Sequence, residues 1–394
     1  MAGKMKAFIF AGEHPANFQH VASVIDSLND DDHDEYVLCL GREVPEHRSF
    51  EYSNGILGLI EKIGAKVGFV RNRFHWDNFE LRWRTKKSRK DWSKRCGPLK
   101  SNLPWVPDIA IVVTPNQGHT KDHIVPWCRR KGVPVLSIDH GMPTVRWPWL
   151  GYRKSMMGCL ANATWSEVCS SINVQIGAPE DFQIITGSPS IDGLLQDSMP
   201  SLKNRLGISR ESKIILLLGT HRRELKNAND EIFKRVIEKY GQNQEYSIVY
   251  KPHPVEISKN DILDVPESVI TTTEQEYFIP LVRHSHTIVS MATSVIVPAL
   301  ALYRPFVNTI PSSIDCISED EAKKLEDRLC GAAFPISMID KVISGEVRVD
   351  RNACDRAFGK FGYKKDGRNG ERVVSLSKWI VMGRTPSEWK DTVA

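Results

Sequence analysis

The sequence predicts an α/β fold divided into two domains. At 394 residues, the chain exceeds the size that a single hydrophobic core usually serves, so two domains are expected. In both halves, short apolar runs alternate with segments of helical periodicity, which is the pattern of βαβ units. Because successive strands of such units are parallel, each domain is expected to be Rossmann-like, with strand carboxyl ends that meet at one ligand-binding edge.

The clearest βαβ unit spans residues 214–254. Its apolar runs, 214–218 and 247–250, have the length of buried strands, and residues 229–240 between them carry apolar side chains at helical spacing. Both strands end in polar and cationic residues, which are Thr220, His221, Arg222, Arg223, Lys251 and His253. Gathered at one edge, these groups suit an anion such as a diphosphate. Taken singly, each cluster is equally consistent with a solvated helix start or a turn.

The amino-terminal half contains apolar runs of the same buried type. Their predicted strand bounds are 6–11, 36–40, 109–113, 133–138, 163–169 and 183–186, with helices at 19–28 and 122–131. Glu13 and His14 follow the first strand directly, so they are expected at its rim, with either a site role or plain loop solvation. The glycine fingerprint of dinucleotide-binding domains is absent after this strand.

Asp139 and His140 follow the predicted strand at 133–138 and precede Gly141. A histidine titrates near neutral pH, and a neighbouring carboxylate can orient its ring, so His140 is the first candidate for a general base. Asp139 and Glu13 are the rival candidates. A buried structural histidine explains His140 equally well.

The strongest charge bias lies in residues 71–100. This segment holds eleven Lys and Arg against three acids, a net charge of +8 in a chain whose total is +5. Trp76, Phe79 and Trp83 share one helical face, which favours an amphipathic helix. The alternative is a surface for a phosphate-rich acceptor, with cations along the acceptor backbone and aromatic rings for stacking. On that alternative, the acceptor-binding candidates are His14, Arg82, Trp83, Arg84, Lys86 and Lys87.

The carboxyl-terminal half continues with further strands and helices. Strands are predicted at 268–272, 287–290 and 304–308, with helices at 275–282 and 295–303. Thr293 and Ser294 stand at a strand–helix junction. There, two hydroxyls beside helix amides would form an anion seat, or Ser294 would simply cap the helix.

Domain limits follow from composition. Residues 196–209 are polar, contain Pro200 and are predicted to link a first domain at 1–195 to a second domain at 210–375. Residues 376–394 are expected to form a last helix that packs back on the first domain.

Composition also limits the functional classes. The apolar content of 41% and the charged content of 26% are those of a soluble globular protein, and no apolar run approaches the ~20 residues of a membrane span. With no signal-peptide pattern at the amino terminus, a cytoplasmic location is expected. The eight cysteines contain no Cys-x-x-Cys pair, which indicates reduced thiols. The acidic run 30–32 is expected to be solvated, so neither a metal nor another cofactor is predicted.

The motifs resemble the GT-B fold, in which two Rossmann-like domains face a central cleft, with a nucleotide-linked donor mainly on the second domain and an acceptor on the first. Residues 219–224 (Gly-Thr-His-Arg-Arg-Glu) resemble the Thr-His-Arg-Arg-Glu-Asn motif of UDP-N-acetylglucosamine 2-epimerases. Residues 186–192 resemble the inter-domain segment of that family. Residues 291–297 replace the acidic, ribose-binding motif of those epimerases, which favours a different reaction.

Other motifs resemble bacterial transferases for capsule, sialic acid and glycerol phosphate. Their His-Pro motif is similar to residues 251–254, their paired hydroxyl residues to Thr293-Ser294, and the His-Gly-x-Pro of CDP-glycerol transferases to residues 140–143. The resemblance implies that His253 contacts the donor phosphates or protonates the leaving group. It also implies that Thr293 and Ser294 bind phosphate.

The sequence therefore predicts a metal-independent glycosyltransferase that moves a sugar from a nucleotide-activated donor, of UDP or CMP/CDP type, to an acceptor hydroxyl. Cations and hydroxyls of the second domain would neutralise the departing nucleotide phosphate. The acceptor is left open between a modified base in DNA, flipped out of the duplex, and a surface glycan. The alternatives are a UDP-N-acetylglucosamine 2-epimerase-like enzyme, a CDP-glycerol-type transferase, and a non-catalytic nucleic-acid-binding protein on a GT-B scaffold.

Overall fold

The structure is a computed structural model. It describes residues 5–11, 20–30, 35–39, 106–113, 124–139, 141, 144, 158–195, 202–220, 223–273, 278–291, 293–310 and 318–393. The chain forms two compact units. The first comprises Met1–Gly141, Gly151–Gly193 and Asp366–Ala394, and the second comprises Met142–Leu150 and Leu194–Lys365.

Strands and helices alternate through the described ranges. The strands are β1 (Lys6–Phe10), β2 (Glu35–Cys39), β3 (Ile109–Val113), β4 (Val135–Ile138), β5 (Ala161–Thr164), β6 (Gln183–Ile185), β7 (Lys213–Leu218), β8 (Tyr246–Lys251), β9 (Ile270–Thr271), β10 (Ser285–Ser290), β11 (Phe306–Asn308) and β12 (Phe334–Pro335). The helices are α1 (Ala22–Asp30), α2 (Val125–Arg130), α3 (Glu167–Gln175), α4 (Leu202–Arg205), α5 (Arg223–Tyr240), α6 (Pro254–Lys259), α7 (Phe278–His284), α8 (Ile296–Ala301), α9 (Glu319–Leu329), α10 (Ile339–Ser344), α11 (Arg351–Gly362) and α12 (Asn369–Val381).

The first unit contains a parallel sheet of order β2-β1-β3-β4-β5-β6. This sheet is buried on both faces. Ala7 and Ile9 of β1 join one apolar cluster with Leu376 of α12. Phe8, between them in the chain, joins the opposite cluster with Trp127 of α2. Burial on both faces explains why β1 is continuously apolar from Ala7 to Phe10 instead of alternating.

The predicted strand at 163–169 extends too far toward the carboxyl terminus. Residues 163–169 were expected to be extended, but β5 ends at Thr164 and α3 begins at Glu167. The reason is local, because the Ser166 side chain accepts a hydrogen bond from Cys169 N at 3.3 Å and caps the new helix. A serine at this position is a standard helix start signal.

Asp192 anchors the amino terminus of α12 within the first unit. Its carboxylate accepts hydrogen bonds from Asn369 N (3.0 Å), Asn369 Nδ2 (2.6 Å) and Gly370 N (2.7 Å). At Gly370, a Cβ atom would collide with the backbone of Ser23 in α1, so the glycine permits a close approach of the two helices. The carboxylate supplies a cap that the helix lacks locally, since no side chain of its own N-cap residue serves there.

We expect Asp192→Ala to lower the free energy of unfolding by about 2 kcal/mol, because two backbone amides lose a buried acceptor. Chemical denaturation monitored by circular dichroism measures the change. Asp181→Ala, which removes an exposed carboxylate from the same unit, is the control. Equal stability of the two variants would contradict the anchoring role.

The second unit contains a parallel sheet of order β12-β11-β10-β7-β8-β9. If β7 to β12 are numbered 1 to 6 in chain order, the order across the sheet, starting at β9, is 3-2-1-4-5-6. This is the strand order of the Rossmann fold. Its helix α5 packs Phe233 and Val236 against Ile215 and Ile248 of the sheet. The parallel α/β architecture predicted from the sequence is confirmed in both units.

Two helices of this unit differ in length from their predictions. Helix α5 begins six residues before the predicted 229, at Arg223. Helix α8 ends at Ala301 instead of residue 303, because Tyr303 has a left-handed backbone with φ of 54°. A left-handed residue cannot continue a right-handed helix.

Candidate functional site

Three neighbouring strands of the second unit end at the same edge of the sheet. Leu218 of β7 pairs with Lys251 of β8, and β10 lies on the other side of β7. Gly219 N donates to Lys251 O at 3.0 Å, and Ser290 Oγ donates to Leu218 O at 3.1 Å. The segments that follow these strands (219–220, 252–255 and 293–295) therefore start side by side, and we call them the carboxyl edge.

A buried asparagine fixes the strand ends behind the carboxyl edge. Asn229 of α5 is 1% exposed. Its Nδ2 donates to Leu218 O at 3.3 Å, and its Oδ1 accepts from Thr309 Oγ1 at 2.7 Å. Sequence reasoning missed this residue. The available signal was its spacing, since Asn229 falls four residues after Leu225 and four before Phe233 on the buried stripe of the helix.

His253 is the N-cap residue of α6. Its Nδ1 accepts a hydrogen bond from Val255 N at 3.1 Å. Because this nitrogen acts as an acceptor, the neutral ring carries its proton on Nε2, which makes Nε2 a hydrogen-bond donor. The sequence motif Lys-Pro-His-Pro thus positions an imidazole donor at the carboxyl edge. The prolines also fit, since Pro254 occupies the first helical position.

Glu256 completes the cap and carries the most perturbed carboxylate at this edge. Its Oε2 accepts from His253 N at 2.5 Å, and its Oε1 accepts from Tyr250 OH at 3.3 Å and lies 3.5 Å from Lys226 Nζ. Desolvation, which outweighs the hydrogen bond from His253 N and the charge of Lys226, raises the pKa of Glu256 to about 7. Gly219 is required here because a Cβ atom would collide with the Glu256 carboxylate.

A pH dependence of stability follows from Glu256. Between its ordinary pKa of 4.5 and about 7, the folded chain holds a proton that the unfolded chain releases, so this group makes stability fall as pH rises. We expect Glu256→Gln to remove that fall, so that the variant gains stability relative to the native chain from pH 4.5 to 7. Urea unfolding across this pH range tests it.

Glu238→Gln on the exposed face of α5 serves as the control for loss of a negative charge. If the difference in unfolding free energy between Glu256→Gln and the native chain stays constant from pH 4.5 to 7, the effect assigned to Glu256 is wrong.

The other residues predicted for donor binding differ in their exposure to solvent. Thr220, Thr293 and Ser294 are partly exposed at the carboxyl edge, whereas Lys251 ends β8 with a side chain that is only 5% exposed. The N-cap of α8 is Val295 and carries no side-chain cap, so Ser294 does not serve there as the N-cap residue. His221, Arg222 and the side chain of Arg223 lie outside the described residues, and their roles stay predictions.

In the first unit, Asp139 follows β4 and is held by three donors. Its carboxylate accepts from Asn162 Nδ2 (3.2 Å), Cys169 Sγ (3.2 Å) and Asn173 Nδ2 (3.3 Å). Desolvation, which outweighs these hydrogen bonds, raises the pKa of Asp139. Desolvation, with the charge of Asp139 adding to it, raises the pKa of the Cys169 thiol, so the thiol keeps the proton that it donates.

The network behind Asp139 extends through buried polar side chains. Asn162 Nδ2 also donates to Gln183 Oε1 at 3.1 Å, and Ser137 Oγ donates to Asn162 Oδ1 at 2.6 Å. These partners come from β4, β5 and β6, so Asp139 has a fixed position at the end of β4. His140, Glu13 and His14 lie outside the described residues, as do Arg82, Trp83, Arg84, Lys86 and Lys87.

Within the described ranges, no group of three or more His, Cys, Asp or Glu side chains has the arrangement of a metal site. Among the helices of those ranges, none combines the length and the apolar character that a bilayer span requires.

Comparisons with known proteins place this geometry in context. A family model described as CDP-glycerol:poly(glycerophosphate) glycerophosphotransferase matches residues 177–308, a stretch that includes the whole carboxyl edge. Comparison with curated protein sequences gives no significant match.

Solved structures resemble the whole chain. A Listeria monocytogenes protein assigned as a UDP-N-acetylglucosamine 2-epimerase has a TM-score of 0.62 at 14% identity, covering 98% of this chain and 99% of its own. The Neisseria meningitidis UDP-GlcNAc 2-epimerase, solved with UDP-GlcNAc, has a TM-score of 0.61 at 17% identity, covering 94% and 99%. A variant of the wall teichoic acid polymerase TagF has a TM-score of 0.56 at 12% identity, covering 96% and 89%.

These likenesses confirm the resemblance to GT-B-type proteins at the level of fold. The family match over residues 177–308 supports a transferase. The comparisons do not single out a sugar as the group transferred, and they give no support to DNA as the acceptor.

Proposed function

We propose that the chain is a transferase that moves a group from a nucleotide-activated donor onto an acceptor hydroxyl, with the donor phosphates at the carboxyl edge. One observation carries the proposal. The matched stretch 177–308 contains Thr220, His253 and Ser294, and the structure brings the segments of all three to neighbouring strand ends. Open α/β sheets bind ligands at this edge.

Within that class, we favour a donor of CDP-glycerol type over a nucleotide sugar. The family model that matches the carboxyl edge is that of a glycerophosphotransferase, whose name specifies transfer of glycerol phosphate. The glycosyltransferase predicted from the sequence remains the second possibility within the class, because both reactions need the same stabilisation of a departing nucleotide phosphate.

The two reactions break different bonds. In glycerophosphate transfer, the acceptor oxygen bonds to the outer phosphorus of the donor as the phosphoanhydride breaks, and a nucleoside monophosphate leaves. In glycosyl transfer, the acceptor oxygen bonds to the anomeric carbon as the bond from that carbon to the donor phosphate oxygen breaks. A nucleoside diphosphate leaves from a UDP- or CDP-linked sugar, and a nucleoside monophosphate leaves from a CMP-linked sugar. In either reaction, a base takes the hydroxyl proton, and a donor such as His253 Nε2–H stabilises the charge on the leaving phosphate.

His140 stays the proposed base, and Asp139 becomes a positioning residue. The Asp139 carboxylate already accepts three hydrogen bonds, which fix its position. A carboxylate held in this way is better suited to orienting the His140 ring than to abstracting a proton from the substrate. This assignment of roles is a proposal for the first unit.

The released nucleotide tests the function. The purified chain is incubated separately with CDP-glycerol and UDP-N-acetylglucosamine, with and without poly(glycerophosphate), and the nucleotides are identified by mass spectrometry. We expect CMP to accumulate from CDP-glycerol only when the acceptor polymer is present. Acceptor-dependent release of UDP would instead assign glycosyl transfer, and no acceptor-dependent release from either donor would contradict the transferase.

The positive charge of one segment of the chain supports a polyanionic acceptor. Residues 71–100 carry a net charge of +8, which suits a polymer with a phosphodiester in each repeat. Binding to such a polymer is expected to weaken steeply between 50 and 200 mM salt. Binding that is independent of salt would contradict this part of the proposal.

A 2-epimerase is the second candidate function. Its support is that two UDP-N-acetylglucosamine 2-epimerase structures match nearly the full length of the chain. Epimerisation requires no acceptor, so conversion of UDP-N-acetylglucosamine in its absence would favour this function over transfer.

A further inference from the structure

A cavity lies in the second unit at the edge of the sheet opposite the carboxyl edge. Its volume is about 560 Å³, and it is lined by the start of β10, the turn between α8 and β11, and residues between α10 and α11. We call it the amino-edge pocket. Strand β10 runs from Ser285 to Ser290, so the pocket and the carboxyl edge are separated by a strand length of about 17 Å.

The polar lining of the amino-edge pocket is positively charged. Its basic lining residues are His286, Arg304, Arg348 and Arg351, and the described lining contains no carboxylate. This cluster leaves no local pattern in the sequence, because its residues are up to 65 positions apart in the chain. Charges of one sign in a concave site focus the field on an incoming counter-ion.

Arg304 is the most confined of these cations. Its Nε atom is buried and has no hydrogen-bond partner within the described residues. Desolvation, with the positive charge of Arg283 adding to it, lowers the pKa of Arg304. Within the described residues, the charge that acts on this partly buried guanidinium is that of another arginine and not that of a carboxylate, which is the usual partner of a buried cation.

The remaining walls are apolar and aromatic. Leu302, Val342 and Val347 line the pocket together with Tyr303. The Tyr303 ring lies under the Arg351 guanidinium at 5.2 Å, and its hydroxyl donates to Asp355 Oδ1 at 2.8 Å. Its backbone is left-handed, with φ of 54°, which is unfavourable in a residue other than glycine, so the ring is held here against its conformational preference.

His286 fixes one wall of the pocket. Its Nε2 lies 2.9 Å from Ile343 O, and because a carbonyl only accepts, the ring proton is on this nitrogen. The contact ties the start of β10 to the end of α10. Arg351 is the first residue of α11, and Arg304 lies two residues before β11. The side chains of Arg348 and Arg351 are exposed and accessible to solvent.

We propose that the amino-edge pocket binds a small molecule that carries a phosphate or diphosphate group. Guanidinium groups bind phosphate oxygens in pairs, and three arginines suit an anion of more than one charge. The volume is within the range of small-molecule sites, and the apolar walls suit the uncharged part of a phosphate ester. The site is independent of the proposed transfer reaction, whose donor phosphates are assigned to the other edge.

Arginine footprinting tests the proposal. The full chain is treated with phenylglyoxal with and without inorganic pyrophosphate, and the modification rate of each arginine is measured by mass spectrometry. We expect pyrophosphate to slow modification of Arg348 and Arg351 at least fivefold. Arg205 and Arg356, which are exposed in the same unit but do not line the pocket, are expected to react at unchanged rates.

Calorimetry provides the matched test by substitution. Pyrophosphate affinity at this site is expected to fall at least tenfold in the double variant Arg348→Ala/Arg351→Ala and to change less than twofold in Arg205→Ala/Arg356→Ala. The substituted side chains are exposed, so both proteins are expected to fold.

Three outcomes would each overturn the proposal. They are equal pyrophosphate affinities in the two variants, equal protection of all four arginines by pyrophosphate, and equal protection by sulfate at matched ionic strength. These outcomes leave the nucleotide-release assay unaffected, so failure of one proposal is distinguishable from failure of the other.

Discussion

Replacing Arg372 with methionine is expected to lower the free energy of unfolding by about 3–5 kcal/mol, the range measured when one partner of a buried ion pair is removed. Arg372 lies in α12 of the first unit and is completely buried. Its guanidinium pairs with Asp366, donates from Nε to Asp391 Oδ2 at 2.8 Å and from Nη1 to Asn369 Oδ1 at 3.1 Å. Methionine preserves much of the volume but leaves two carboxylates without their cation.

The pH dependence of the free energy of unfolding provides a second test of this prediction. Desolvation alone would raise the pKa of Asp366, but hydrogen bonds from Arg372 and from Arg368 N outweigh it, and the pKa is lowered. A lowered pKa stabilises the fold above the ordinary carboxyl pKa, and that stability is lost as the pH falls through the folded value. The native chain should therefore lose more stability below about pH 4 than Arg372→Met does.

Arg368→Ala is the matched control for Arg372→Met. Arg368 is the residue just before α12 and forms an ion pair with Glu371, and the two side chains are 37% and 42% exposed. Exposed pairs of this kind contribute little to stability, so a much smaller loss is expected. Similar losses in the two variants, measured by denaturant unfolding, would contradict the special role of Arg372.

Replacing His253 with asparagine is expected to reduce turnover by a factor of about 10²–10³, the cost of removing one donor to a developing charge. Asparagine is among the best N-cap residues, so it can replace Nδ1 as the acceptor for Val255 N while removing the Nε2 donor. Stability is thus expected to be preserved while catalysis is lost. Single-turnover nucleotide release and thermal unfolding measure the two effects separately.

Lys259→Ala, at the exposed end of α6, is the control for His253→Asn. Its turnover should equal that of the native chain. If the unfolding temperature of His253→Asn and its rate of donor turnover both equal those of the native chain, His253 has no part in the reaction.

The elements predicted best are those whose signal is local. The strands at 109–113 and 214–218 are uninterrupted apolar runs, and the structure begins or ends their strands within one residue of the predicted bounds. The strand–helix–strand order then requires the polar residues after β7 and β8 to share one edge. This order alone predicts that the segments of Thr220 and His253 lie next to each other, as they do in the structure.

The elements missed are those fixed by distant partners. Asp192 caps a helix 177 positions away, and Arg372 meets Asp391 beyond the end of its own helix. Neither pairing leaves a periodic trace in the sequence. Glu256 is different, since it follows His253 at the spacing of a capping box, a local signal that sequence reasoning could have used. The predictions for residues 71–100 lie outside the described residues and stay predictions.

Hydrogen exchange on addition of a nucleoside diphosphate tests the central claim most directly, namely that separate segments of the second unit form one phosphate site. Exchange is measured by mass spectrometry with and without CDP at concentrations that saturate any thermal shift. We expect simultaneous protection of peptides that cover 219–220, 252–255 and 293–295, because these segments follow neighbouring strand ends. Protection of only one of them, or of the residues around the amino-edge pocket instead, would contradict a nucleotide site at the carboxyl edge.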